Sequence, residues 1–257
     1  MSVTRSEHDL LGSKEIPANV YWGVHTARAV ENFKITGVTI GHNPYLLRGL
    51  AYVKEAAARA NHELGLLDRD RMEAIAEACR EIRAGALHEQ FVVDEIQGGA
   101  GTSTNMNANE VIANRALELL GHEKGEYARL HPNDHVNAGQ SSNDVIPTAI
   151  LVSATLATSE RLLPALKHLR KTIDARAKEL KKVVKTGRTH LMAAMPITFG
   201  QELSGWSAQI ADAEERIGDT LKRTRRLPQG GSAVGTGINA DPKFGPAVAT
   251  ELSKLTG

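Results

Sequence analysis

Between Leu203 and Leu221 an apolar residue returns every three or four positions: Leu203, Trp206, Ile210, Ala213, Ile217 and Leu221. Asp212, Glu214, Glu215, Asp219 and Lys222 fill places between and around them. That spacing is a heptad-like seam and predicts a long amphipathic helix. A second run, Pro147 to Lys185, holds almost no helix breaker except Pro164. In it Leu163, Leu166, Leu169, Ile173, Ala177, Leu180 and Val184 recur at similar intervals. Such a helix would extend about 55 Å at 1.5 Å per residue, with a kink expected at Pro164. Two helices this long cannot cover their apolar faces against each other alone. They predict a larger bundle, completed by other subunits or by a longer chain of which these residues are a fragment.

The rest of the chain fits a helical protein. Aromatic residues are only 4%, so a core must be filled by Leu, Ile, Val, Ala and Met, which suits packed helices better than a sandwich of sheets. Residues 44–64 and 68–84 read as helices, with Gly65 stopping the first and Asp68 capping the second. Another should run from about Thr104 to Leu120, with Met106, Ala113, Leu117 and Leu120 as its apolar stripe and Gly121 as its end. Residues 1–40, with Gly12, Pro17, Gly23, Gly37 and Gly41, predict loops and a small hairpin. The expected class is all-α, mainly helical.

Bulk charge excludes some functions. With 31 basic and 30 acidic side chains the formal net charge is +1, so no nucleic-acid or membrane partner is expected from charge alone. Cys79 is the only cysteine, which rules out an intrachain disulfide and fits a reducing compartment. The N-terminal stretch MSVTRSEHDLLGSKE lacks an apolar signal core, and no apolar run is expected to reach membrane-spanning length. A cytoplasmic protein is the expectation.

Three polar islands interrupt the helical pattern. The first, QGGAGTSTNMNANE from Gln97, sets glycines before Thr102, Ser103, Thr104, Asn105, Asn107 and Asn109, with no acid or base until Glu110. Glycines let the backbone approach a ligand, and free N–H groups at a helix start favour an anion. The second, HPNDHVNAGQSSND, ends on Ser141, Ser142, Asn143 and Asp144 just before the long helix. One such residue suffices to cap a helix, and four in succession suggest an anion cradle. His131 and His135 are four apart, but Pro132 and Asn133 argue against a helix there, so metal ligation is not expected. The third, KTGRTHLMAAMP, carries Arg188, Thr189 and His190 in what reads as a loop between two long helices. A further stretch, QGGSAVGTGINADP over 229–242, reads as a structural turn packed closely on its neighbours. No P-loop, dinucleotide fingerprint or serine-hydrolase order is present, so no cofactor is expected. Taken alone, the islands predict a binder of small carboxylic acids.

The islands resemble the signature regions of the aspartase/fumarase superfamily. The similarity runs through DLLGSKEIPANVYWGVHTARAVENFKI, QGGAGTSTNMNANEVIANRALELLGHEKGEY, HPNDHVNAGQSSND, GRTH and GTGIN, in that order. The resemblance implies an N-terminal lyase domain over 1–140 and, over 141–257, the first part of a central bundle of long helices. In the superfamily four subunits build that helical core and share their active sites, so a homotetramer is implied. It also implies a small dicarboxylate substrate, loss of a proton beside one carboxylate, and an aci-carboxylate intermediate that expels the leaving group to give fumarate. Thr102, Ser141, Ser142, Asn143, Thr189 and His190 match substrate-contacting positions, with Thr189 and His190 supplied by a different subunit and His190 the catalytic acid/base candidate. DLLG, GVHT, GGAGTS and GHEKGEY resemble aspartases, which eliminate ammonia reversibly from L-aspartate. Fumarases, which tend to carry serine at the position of Ala100, are the alternative, and QSSND and HPND suit both. Departures from the pattern are Met192 and Ala193 in place of Gln-Asp, and Ala138 and Gly139 in place of a Lys-Ser type pair. The serine loop that carries the family's base has no counterpart, so this stretch by itself is expected to lack the base; a non-catalytic truncated chain is the third reading.

Overall fold

The computed structural model describes residues 3–257. The helical class is borne out: eight α-helices and two two-stranded sheets form among these residues. They gather into two compact units, the first made of residues up to Ser153 together with Leu227–Gly257, the second of Ala154–Arg226.

The first unit opens with an antiparallel hairpin, β1 (Thr4–Asp9) and β2 (Gly12–Pro17), in register from Thr4 opposite Pro17 to Asp9 opposite Gly12. Helix α1 (Val24–Asn32) follows. Helix α2 (Pro44–Glu63) starts at Asn43, whose side chain accepts from the Leu46 N–H at 3.1 Å. Helix α3 (Arg69–Arg83) starts at the expected cap, Asp68, which accepts from the Arg71 N–H at 3.0 Å. The two helices pack along each other, burying Leu47, Leu50, Val53 and Ala57 on one and Ile75, Cys79 and Ile82 on the other.

Helix α4 (Thr102–Leu119) begins two residues before its expected start, and its burial is broader than the expected stripe. Thr104, Asn105 and Asn107 to Asn114 are all buried, so neighbours surround it on nearly every side. Its asparagines act partly as internal struts: Asn107 accepts from Val92 N at 3.0 Å and donates to Gln90 O at 3.0 Å. Asn114 donates to Tyr21 O at 2.7 Å and accepts from Gly125 N at 2.8 Å. Buried loops need such partners because no water is there to satisfy their backbone groups. The last helix, α8 (Phe244–Thr256), returns to pack against α2 and buries Phe244, Val248 and Leu252. The compact units therefore do not follow a single cut at residue 140.

Helix α5 (Ser142–Ala157) leads out of the first unit and α6 (Leu163–Glu179) lies in the second. Between them a π-helical turn, Thr158–Leu162, widens the winding just before Pro164 and so makes room for its ring and its missing N–H. At the place where a kink was expected, Pro164 is thus accommodated by a bulge in one continuous helix. That helix, Ser142–Glu179, is by length and composition apolar enough to cross a membrane, contrary to the expectation that no run reaches that length.

Two further expectations are corrected in the second unit. The long helix ends at Glu179 rather than Lys185, and the supposed loop is an antiparallel hairpin, β3 (Val184–Thr189) with β4 (Met192–Thr198). His190 and Leu191 form its two-residue turn with φ of 51° and 62°. Both residues sit in the left-handed region that tight hairpins demand, but neither is the Asn or Gly that would have announced the turn. Helix α7 (Phe199–Thr224) then starts on a reciprocal capping box between Thr198 and Gln201. It packs along α6, with Arg170 paired to Glu214 at 3.1 Å. No α6 residue is buried, and on α7 only Gly200 and Ser207 are. Leu169 and Trp206 stay about half exposed, at 47% and 51%. The seam predicted from the sequence is present, half-buried along Leu203, Ile210, Ala213, Ile217 and Leu221 and exposed at Trp206.

Candidate carboxylate-binding site

Two helix starts adjoin in the first unit, those of α4 and α5. Gly101, at the cap of α4, has φ +74°, and a Cβ there would sit 2.9 Å from Ile146 on the second turn of α5. A glycine is needed for both reasons: the left-handed backbone and the close approach. The α4 terminus is capped from outside the helix. Gln97 accepts from Thr104 N at 2.9 Å and donates to Thr104 Oγ1 at 2.6 Å. Thr102 lies exposed and Ser103 half-buried, and neither side chain serves as the cap.

The α5 terminus is tied down by a residue of its own first turn. Asp144, only 1% exposed, accepts from Ser141 N at 2.9 Å and, through its other oxygen, from Gly230 N at 3.1 Å and Ser232 N at 2.9 Å. Asn143 donates from Nδ2 to Ala233 O at 2.7 Å, and its N–H donates to Ser141 Oγ at 3.2 Å. The glycine-rich turn after residue 228 is therefore the wall of this site as well as a packed turn. Ser141 and Ser142 are half-buried and Asn143 exposed.

A buried amide links the two starts. Asn105, one helical turn past Thr102, donates from Nδ2 to Ser142 Oγ at 3.2 Å and to Asn137 Oδ1 at 3.1 Å. Behind it lies Lys54, fully buried, whose ammonium donates to Asn137 Oδ1 at 2.8 Å and Gln140 Oε1 at 3.0 Å. Burial pulls its pKa down to about 7, against which the charge of Asp144 works in the other direction. Asn137, Gln140 and Lys54 lie outside the residues singled out in the sequence, and so does the capping role of Gln97. One signal was available: Leu47, Leu50, Lys54, Ala57 and Asn61 fall on one apolar face of α2, and a lysine there must have partners.

Of the residues singled out in the sequence, Thr102, Ser141, Ser142 and Asn143 are brought together at these helix starts. Thr189 and His190 belong to the second unit, exposed at the tip of the β3–β4 hairpin. His131 and His135 are occupied locally: His131 Nδ1 accepts from Asn133 N and Asp134 N, and His131 N donates to His135 Nδ1 at 2.7 Å. No group of three or more His, Cys, Asp or Glu is gathered as a metal cage among the described residues. What the first unit offers a ligand is uncharged hydroxyls and amides at two positively polarised helix ends, a setting suited to a carboxylate.

The profile of the family described as Lyase matches residues 12–257, and the chain belongs to that family, the aspartase/fumarase superfamily. Among its relatives is a fumarate hydratase class II of Xylella fastidiosa (strain Temecula1), 55% identical over 253 residues, 98% of this chain and 52% of the relative. An aspartate ammonia-lyase of Pseudomonas canavaninivorans is 49% identical over 255 residues, 98% of this chain and 53% of the relative. Among solved structures, the cobalt-bound fumarate lyase:delta crystallin from Brucella melitensis superposes with a TM-score of 0.96 at 47% identity, covering 99% of this chain and 55% of that one. The recombinant class II fumarase from Schistosoma mansoni gives 0.93 at 39% identity, covering 99% and 53%. The chain spans about half the length of the relatives it matches.

Proposed function

We propose that this chain carries the carboxylate cradle of a lyase that reversibly eliminates ammonia from L-aspartate to give fumarate. One observation carries the reading. Gln97 caps the α4 start and Ser141 Oγ takes the Asn143 N–H at the α5 start, so the hydroxyls of Thr102 and Ser142 are left to face a ligand. In this reading Thr102, Ser141, Ser142 and Asn143 hold one end of the dicarboxylate. Thr189 and His190 of another copy hold the other end, His190 moving a proton. The carbon beside a carboxylate is a weak acid, so the barrier falls when preorganised donors meet the charge that develops on the aci-carboxylate. Neutral donors suit this task because they stabilise the dianion without neutralising the base. The incompletely covered seams of α6 and α7 support a homotetramer in which other copies complete the bundle. A cytoplasmic setting accompanies the reading.

A second reading, hydration of fumarate to L-malate, is favoured by the 55% identity to a fumarate hydratase class II. A third is a chain that binds dicarboxylates without turning them over. Ultraviolet absorbance of fumarate distinguishes the three. In a catalytically complete form that includes the family's serine loop, we expect fumarate to appear from L-aspartate and not from L-malate. Appearance from malate alone selects the second reading. Succinate binding with no turnover of either substrate selects the third.

A further inference from the structure

Lys54 stands out among the buried groups because both of its hydrogen-bond acceptors are neutral amides. Its ammonium is fully enclosed, 2.8 Å from Asn137 Oδ1 and 3.0 Å from Gln140 Oε1. The Asn137–Gln140 turn carries no charged side chain. An unpaired buried cation is costly unless something nearby gains from it. Other charges around α2 are satisfied elsewhere. On α2 itself Glu55 is held by Arg59 and by Arg83 of α3. On α8 Glu251 is paired with Lys254. Cys79 of α3 is buried, with its thiol held well above the usual range by burial. That leaves Asp144 of α5, whose oxygens are taken by Ser141, Gly230 and Ser232 backbone N–H groups rather than by a cation.

The hydrogen-bond path from Lys54 leads to the cradle. Asn137 Oδ1 takes both the Lys54 ammonium and Asn105 Nδ2, and the same Asn105 nitrogen donates to Ser142 Oγ at 3.2 Å. With that oxygen accepting from Asn105, the Ser142 hydroxyl proton is free to point at a ligand. Asn105 Oδ1 is buried without a partner, so Nδ2 alone carries the link.

We propose that Lys54 is a positioning residue that holds Asn137 and Asn105 so that Ser142 presents its hydroxyl outward, and that its ammonium supplies the positive charge behind an otherwise neutral dicarboxylate cradle. The proposal rests on reading that cradle as a dicarboxylate site. It deepens the reading by giving it a pH dependence. A bound dianion favours the ammonium over the free amine, so binding draws a proton onto Lys54 and affinity declines as the pH rises past about 7.

Succinate, an unreactive dicarboxylate, is the probe. Its affinity for the wild-type 257-residue chain, measured by calorimetry between pH 6 and 9, should fall about tenfold, as expected when binding raises a group's pKa by about one unit. Lys54→Met should bind about tenfold more weakly at pH 6 and show no such break, whereas a purely structural role would leave the break in place. In parallel, NMR of the 13Cε-labelled wild-type lysine needs no variant to fold. The Lys54 titration should move to higher pH at saturating succinate. If wild type binds succinate but Lys54→Met matches it at every pH, or if the Lys54 titration does not move, the assignment to Lys54 is overturned and the cradle stands. If wild type binds no succinate, the cradle reading falls and this proposal with it.

Discussion

Replacing Glu110 by alanine is expected to lower the unfolding free energy by about 3–5 kcal/mol, the range seen when a buried charge network loses one partner. Glu110 is fully buried on α4, yet it caps a different helix. Its two oxygens accept from the backbone N–H groups of Gly23 (2.8 Å), His25 (2.8 Å) and Thr26 (3.1 Å), and from the His25 ring at 3.1 Å. The remaining N–H of that run, Val24, goes to Glu7 at 2.8 Å. Two carboxylates thus take all four free donors of α1, which has neither a side-chain cap nor an acid in its first turn. Gly23 is what lets them in: a Cβ there would collide with Glu7 Oε2 and the Tyr127 hydroxyl.

Truncation at Glu110 would leave three buried donors without partners. Urea unfolding of wild type and Glu110→Ala measures the loss, and a difference under about 1 kcal/mol, the value of one ordinary hydrogen bond, would mean that water has taken over the cap. The same network has a pH signature. The carboxylate of Glu110 raises the pKa of His25, chiefly by hydrogen bonding. A raised folded value means that the stabilisation is complete below the unfolded histidine pKa, about 6.5, and is lost as pH rises through the folded value. Glu110→Ala should abolish that slope as well as the stability. Burial raises the pKa of Glu7, with the Glu110 charge adding to the effect, so Glu7 should ionise more readily in the variant.

The second large effect concerns turnover. In a catalytically complete form of the enzyme, Asn143→Ala and Thr189→Ala should each lower kcat by an amount equivalent to about 2.7–4 kcal/mol, as for the removal of one oxyanion donor. Asn143 also ties the first turn of α5 to Ala233. Its variant therefore needs a melting curve beside its kinetics, to separate a lost donor from a loosened wall. Thr189 has no such structural bond in its hairpin beyond the backbone pairing with Met192. Unchanged kinetics in both variants would remove them from the proposed machinery.

Much of this was legible before any coordinates. The cap of α3 and the seam of α7 follow from periodicity and from local side-chain chemistry, which are properties of neighbouring residues, whereas the grouping of Thr102 with Ser141, Ser142 and Asn143 was implied by the family resemblance. What escaped the sequence depends on residues far apart. Glu110 reads as the first charge after a polar run, and nothing nearby says that it caps a helix some 85 positions earlier. The β3–β4 hairpin escaped because its turn uses His190 and Leu191 in a conformation usually left to Asn and Gly. Pro164 was expected to kink the helix, and the π-turn that accommodates it escaped because it arises from the winding of the preceding residues, not from any signature of their own.

The incompletely covered seam of α6 and α7 bears on how this chain should behave in a test tube. Hydrophobic faces that find their cover only on other copies tie folding to mass action. Diluting the protein should then lower its melting temperature, and concentrating it should raise it, with sedimentation reporting larger species over the same range. A midpoint indifferent to dilution would mark the two helices as self-sufficient in solution.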